Sequence, residues 1–563
     1  MGGAMAKKQN RYVFKRDWSV GNAAAENDQK FLENCFIDTG YIEQLSNLDN
    51  NKSIVLGRVG IGKSAILAEI EASQHHIINI DPEQFSISYI SNSTVLKYFD
   101  NLGVKLDPFF QALWKHVLCV ELIKKKYKIN TKEDSNSFYQ TLRGWFIDNE
   151  VRKQALEYFS KWGGVDFWET TEIRVRELTR KIETDLGGVL GGGAASVEAK
   201  VSGSERLTEE EKTTIRERAQ KIVDGVQMHA LHEVISTIGR EAFNSKYDNY
   251  YILIDDLDLE WADNQVRYRL IRALIDTVQR FRKIRNLKII ISLRSDLLET
   301  VVNETRGAGF QEEKYEDYFI RVNWSVEELR NLVDIRISEL IKEKYTQNEA
   351  NFYDIFPERV FKKKPTFDYM IERTLKRPRD IILFVNKCFD VAAGRPNMTQ
   401  RLIVQAEADY SSSRLNSIME EWIEIHPDIN IHVEMLKAMR ARFTVNDIPV
   451  DELLEQIMRY GDFEKSKDPV TRTAHNVFTI AKVDRVEDAL EFLGVYFHVL
   501  HKVGICGIKT GRSGRPSWSE GGVGSIPPKA INLESKIYIH PMVWMALGIG
   551  GVEWGGADSP ISP

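Results

Sequence analysis

Cysteine is scarce in this chain of 563 residues: there are four, Cys35, Cys119, Cys388 and Cys506, and no two form a C-x-x-C pair. That spacing excludes a disulfide framework and a structural zinc site, and it points to a reduced, cytoplasmic compartment. The 11 histidines include His75-His76 and the pair His229 and His232, but no cysteine or acid nearby completes a metal set. No apolar run approaches the length that spans a bilayer, and no signal peptide opens the chain, so no membrane partner is expected. An excess of one charge is lacking too, with 76 Lys+Arg against 82 Asp+Glu and a net charge of -6. This argues against a generally basic nucleic-acid coat, though not against a local patch. No internal repeat is evident, and nothing resembles a nuclease, deaminase or protease centre. What the chain has is bulk: 43% of it is hydrophobic, and its length suits about three or four domains.

The most informative stretch is Ser53-Ile54-Val55-Leu56-Gly57-Arg58-Val59-Gly60-Ile61-Gly62-Lys63-Ser64-Ala65. An apolar run leads into G-x-x-x-x-G-K-S, the pattern of a phosphate-cradling P-loop. Gly57, Gly60 and Gly62 let the backbone curl, so that the N–H groups through Ile61 and on to Ala65 can point at a phosphate. Lys63 would reach the terminal phosphates, and the Ser64 hydroxyl would hold Mg2+. The helix that continues from Ala65 adds partial positive charge at its N-terminus.

A second stretch, Tyr250-Tyr251-Ile252-Leu253-Ile254-Asp255-Asp256-Leu257-Asp258, reads as a buried parallel strand that breaks abruptly into carboxylates. Ligands of open α/β sheets sit at the carboxyl ends of strands, and acids there are costly unless a cation needs them. Asp255 would orient the metal and Asp256 would align the attacking water. Asp258 is a weaker candidate for the same work and reads by default as a helix cap.

The coarse organisation is an approach segment over 1–50, a P-loop ATPase core over 51–330 with a helical insertion at about 85–240, a helical lid over 331–405 and a C-terminal winged-helix-like domain over 406–563. Helical patterns run over Phe109 to Lys128 and Phe138 to Trp162, and Thr208-Glu209-Glu210-Glu211 forms a capping-box start. The Gly-rich segment 186–203 does not favour a helix. It reads as a flexible loop or, more sharply, as a mobile subunit-contact or pore loop. Leu287 to Asp296 gives another buried strand, and Tyr318 to Trp324 another, with Ser325 capping the next helix. Pro378 and Asp380 suit the first turn of a lid helix.

Together GRVGIGKS, ILIDDLD, IISLRSD and KRPRDIILFVN resemble the AAA+/STAND-like P-loop ATPases. They are most similar to a bacterial family, first named from a cyanobacterial open reading frame, whose genes often lie near phage-defence genes. The opening VGNAAAENDQKFLENCFIDTGY and the ending IYIHPMVWMALG share that likeness, which covers most of the chain and is weakest over 130–220. The resemblance implies an α/β fold: a P-loop NTPase parallel sheet with a helical insertion, a helical lid and a C-terminal winged-helix-like domain. It implies ATP and Mg2+ as cofactors, Arg294 as first sensor of the γ-phosphate (with Ser292 as the alternative) and Arg379 as second sensor. Phosphoryl transfer needs cations on equatorial oxygens, and an Arg fork suits them. Related proteins often borrow an arginine from a neighbouring subunit, and Arg306 and Arg321 are the candidates. Gly21 to Asp28 would line the adenine pocket or simply cap a helix. Many relatives carry Glu where Asp256 stands, so slow hydrolysis is expected.

The implied function is an ATP-hydrolysing switch or remodeller, a homo-oligomer acting with a separate effector in anti-phage defence. The alternatives are an origin-recognition-like DNA-binding ATPase and a non-hydrolysing scaffold. For the DNA reading, a winged helix can place a helix in the major groove. Lys509, Arg512, Arg515 and Lys529, with Trp518 nearby, are then the candidate nucleic-acid contacts, and protein contact is the competing use of such a domain. Lys124-Lys125-Lys126 and Lys362-Lys363-Lys364 read as solvated faces.

Overall fold

The computed structural model describes residues 13–549 apart from 83–89, 91–92, 130–133, 135–170, 191–207, 225–234, 237–238, 240–242, 244, 246–247, 260–263, 306–311, 346–348, 362–363, 438, 461–465, 481–482, 512 and 520–525. In chain order, α1 (Gln29–Cys35) precedes β1 (Ile54–Gly57), α2 (Lys63–Ser73) and β2 (His76–Ile80). The long helices α3 (Asp107–Tyr127), α4 (Thr171–Val189) and α5 (Glu209–Asp224) follow. Next come β3 (Tyr250–Ile254), α6 (Asn264–Phe281), β4 (Leu287–Arg294), α7 (Ser295–Glu304) and β5 (Phe319–Arg321). The rest supplies α8 (Val326–Lys344), α9 (Pro378–Ala392), α10 (Gln400–Trp422), β6 (Arg442–Thr444), α11 (Val450–Arg459) and α12 (Pro469–Ile480). It ends with α13 (Leu490–Lys502), β7 (Cys506–Lys509) and β8 (Lys536–Ile539). Among the described residues no helix is long and apolar enough to cross a membrane.

The chain divides into two compact units. One comprises Gly40–Gly57 and Ile66–Arg321 and is built on a five-stranded parallel sheet in the order β2-β3-β4-β1-β5. Strands covered on both faces read as unbroken apolar runs, and every residue of β1 and of β3 is buried. Gly57 at the end of β1 is in register with Arg294, and Ile254 at the end of β3 with Ile291, so these strands finish at one edge. An inner strand, β1, that runs straight into the glycine-rich loop, within an all-parallel sheet, makes this an α/β P-loop NTPase fold, as expected.

Helix α3 is buried along most of its length from Phe109 to Ile123; its Trp114 donates from Nε1 to the Leu270 carbonyl of α6 at 2.9 Å. The Gly-rich segment corrects one expectation. Helix α4 continues through Gly187 and Gly188 to Val189, because Leu186 and Leu190 are buried in the core and their burial outweighs the poor propensity of glycine. Residues 191–203 of that segment, the pattern Phe138 to Trp162, His229, His232, Arg306 and Arg512 lie outside the described residues.

The other unit comprises Met1–Thr39, Arg58–Ala65 and Val322–Pro563. Its first described residues are built into it. Phe14 N–H donates to the Arg395 carbonyl (3.0 Å), Gly394 N–H donates to the Phe14 carbonyl (2.7 Å), and Trp18 packs edge-on against Phe389. A capping box starts α8: Glu328 N–H donates to Ser325 Oγ and Ser325 N–H to Glu328 Oε2. A single apolar core joins α8, α9 and α10 to the antiparallel sheet β6-β8-β7. The expected boundaries at 330/331 and 405/406 fall inside α8 and α10. Helix α13, the element that a winged helix would send into a groove, has one exposed residue, Glu491. A Cβ at its Gly494 would lie 2.8 Å from the Pro528 carbonyl oxygen, so the segment after β7 lies directly on this helix.

Candidate functional site

The loop that leaves β1 is shaped by what grips its carbonyl oxygens. Within its unit, the Val59 carbonyl accepts from Arg377 Nη1 (2.8 Å), the Gly60 carbonyl from the Arg379 N–H (3.3 Å) and the Ile61 carbonyl from Trp324 Nε1 (2.8 Å). Three consecutive carbonyls are therefore held from one side, so by peptide planarity the N–H groups of Gly60, Ile61 and Gly62 face the other, where the Ile61 N–H meets the Arg58 carbonyl at 3.4 Å. Gly60 and Gly62 have φ of +76° and +104°. At Gly60 a Cβ would also lie 2.6 Å from the Cβ of Arg379, so the close approach of α9 requires glycine there. Lys63 and Ser64 open α2 and are half-buried, with Ala65 beside them. The Lys63 ammonium donates to the Arg58 carbonyl at 3.4 Å. Main-chain amides of a glycine-rich turn, one ammonium and one hydroxyl at a helix start suit a polyphosphate.

Arg379, expected as second sensor, stands in the first turn of α9, and its Nε donates to the Ala23 carbonyl at 2.9 Å. Helix α9 thus holds both the loop and the segment 19–28. Asn386 of α9 accepts from Val20 N–H (2.9 Å) and donates to the Gly21 carbonyl (2.8 Å), while Arg336 Nη1 donates to the Val20 carbonyl (2.7 Å). Asp28 precedes α1 but does not cap it with its side chain. Its carboxylate accepts from Asn22 N–H and pairs with Arg336, both at 2.7 Å.

In the sheet unit, Asp255 and Asp256 follow β3 directly, the first half-buried and the second exposed. Asp256 has φ +57°, a left-handed conformation that Asp tolerates better than most residues. Ser292 is buried within β4 and is not presented at its end. Arg294 closes β4 and is clasped by Asp296, with Nε at 3.2 Å and Nη2 at 2.6 Å from the carboxylate oxygens, and its Nη1 lies 3.5 Å from Asp258. The Asp258 carboxylate thus faces Arg294. Arg321 pairs with Glu316 through Nη2 at 3.0 Å.

Residues that the sequence pattern did not single out surround the loop. Arg58, inside the motif, is buried and donates from Nη2 to the Val503 carbonyl at 2.9 Å. Arg377 lies 3.5 Å from Glu421. Burial, reinforced by the nearby Arg58 charge and opposed by Glu421, pulls the Arg377 guanidinium down to about 10. Trp324 carried no motif at all.

A family model described as the FunZ-associated C-terminal helical domain matches residues 327–419, which hold Arg377, Arg379 and Asn386. A curated relative, the putative transposon gamma-delta 80.3 kDa protein of Escherichia coli (strain K12), is 22% identical over 553 residues, covering 94% of this chain and 67% of the relative. Among solved structures, a Walker-type ATPase of Pyrococcus abyssi is similar over 94% of this chain and 98% of its own, at 11% identity and a TM-score of 0.36. That likeness is too distant to inform the fold or the site.

Proposed function

We propose that this chain binds MgATP at the loop 57–65 and hydrolyses it slowly, as a nucleotide-driven switch. The observation that carries the reading is the set of three outward-held carbonyls at Val59, Gly60 and Ile61, which prepares an amide cradle for phosphate. In this reading Lys63 neutralises the terminal phosphates, Ser64 and Asp255 hold Mg2+, and Asp256 orients the attacking water. The metal would supply charge neutralisation between phosphate oxygens. Arg294 exchanges carboxylate partners for a phosphate, and Arg379 reports the state of the loop to the lid helix. The segment Gly21 to Asp28, held by Asn386 and Arg336, lines the base.

The wider reading is a bacterial oligomer acting with a separate effector in anti-phage defence. A relative named for a transposon keeps it in the setting of mobile genetic elements. A nucleic-acid role would have to rest on Lys509, Arg515 and Lys529, since α13 is covered.

Substituting Lys63→Ala tests the site. Calorimetry with a slowly hydrolysed ATP analogue is expected to show binding by the parent chain and none by the variant. Equal binding by both would remove the loop from the account.

A further inference from the structure

We propose that Arg58 and Glu421 are positioning residues that tie the conformation of the loop 57–65 to the C-terminal part of the same unit. The inference rests on the loop being a nucleotide site. Phosphate chemistry needs no cation at position 58, and the side chain there turns into the protein. The Arg58 guanidinium lies over the Trp422 ring (5.6 Å to its centre), and its Nε is 3.6 Å from Glu421 Oε1. The other Glu421 oxygen faces Arg377 Nη1 at 3.5 Å and Arg414 Nη2 at 4.0 Å. Arg414 continues to Asp380 at 3.1 Å, and Asp380 accepts from the Leu375 N–H at 2.9 Å.

Three guanidinium groups and two carboxylates are thus buried together, none of their side chains more than 7% exposed. A buried cluster with one cation in excess depends steeply on where its few anions sit. Two of the cations around Glu421 touch the loop backbone: Arg58 belongs to it, and Arg377 holds the Val59 carbonyl. Displacing the loop therefore moves both cations against the last turn of α10. It also moves the turn at Val503-Gly504, where Gly504 (φ +86°) leaves room for Arg58 Nη1, 3.0 Å from where a Cβ would stand. The loop is read at two places, the end of α10 and the entry to β7.

The test uses the full chain with ATPγS and Mg2+, reading affinity by calorimetry and amide exchange over 415–422 and 500–509. The parent is expected to show slower exchange in both segments when nucleotide binds. Glu421→Gln is expected to weaken binding by about tenfold and to erase that protection. Because Glu421→Gln leaves the guanidinium groups underbalanced, the pair Arg58→Met with Glu421→Met removes one charge of each sign. It is expected to fold and to bind, but without the distant protection. Parent-like affinity and parent-like protection in the paired variant would overturn the inference alone. Failure of the parent chain itself to bind would overturn the nucleotide reading and the inference with it.

Discussion

Arg377, two residues before Arg379, donates from Nη1 to the carbonyl of Val59 at 2.8 Å. The residue that leads into α9 thereby holds the loop 57–65 by its main chain, and that relationship makes the loop sensitive to changes outside its motif.

Gly60→Ala combines two faults. The position has positive φ, and its Cβ would lie 2.6 Å from Arg379 Cβ. The strain alone costs about 1–3 kcal/mol, and the clash pushes α9 away. Thermal melts should show clear destabilisation, and nucleotide titration should show lost binding.

Trp324→Phe keeps a ring but removes the donor to the Ile61 carbonyl. One net hydrogen bond of about 1 kcal/mol translates into about fivefold weaker ATP-analogue binding. A parent-like dissociation constant would show that this carbonyl needs no outward hold.

Asp256→Asn preserves a side chain tolerant of φ +57°. Nucleotide affinity should stay close to the parent's, while steady-state phosphate release falls by about 10²–10⁴-fold. Undiminished phosphate release would move the water-aligning role to another residue.

Acid should weaken the unit that contains His540. Burial holds its imidazole down at about 3, against a smaller opposing pull from Asp380, and burial likewise lowers His426 despite Asp468. Below the unfolded value near 6.5 the unfolded chain gains protons that the folded chain refuses. The stability associated with neutral His540 is therefore complete above that value and drains away as pH falls toward 3. From pH 7 to pH 5 the loss is about 2 kcal/mol for His540. Urea midpoints at the two pH values should reveal it. In His540→Asn, where Oδ1 replaces Nδ1 as acceptor for the Met542 N–H, the difference should shrink.

Much of this architecture is local and so was legible. Continuous apolar runs mark β1, β3 and β4 because a parallel sheet buries both faces. Ser325 with Glu328 announces α8. What escaped was long-range. Arg58 fills a variable motif position and finds Val503 and Glu421 hundreds of residues later, and Trp324 has no local signature. The contact of Asp258 with Arg294 left no local trace, because the arginine comes from another strand. Leu186 and Leu190 pulled glycines into a helix that their propensity opposes.

The pairing of Phe14 with Gly394 and Arg395 has a consequence for biosynthesis. At translation rates of about 5–20 residues per second, Phe14 waits roughly 20–75 s for these partners to leave the ribosome, and Trp18 waits nearly as long for Phe389. Throughout that interval their side chains are presented to chaperones, while the strands of the parallel sheet emerge and pair ahead of them.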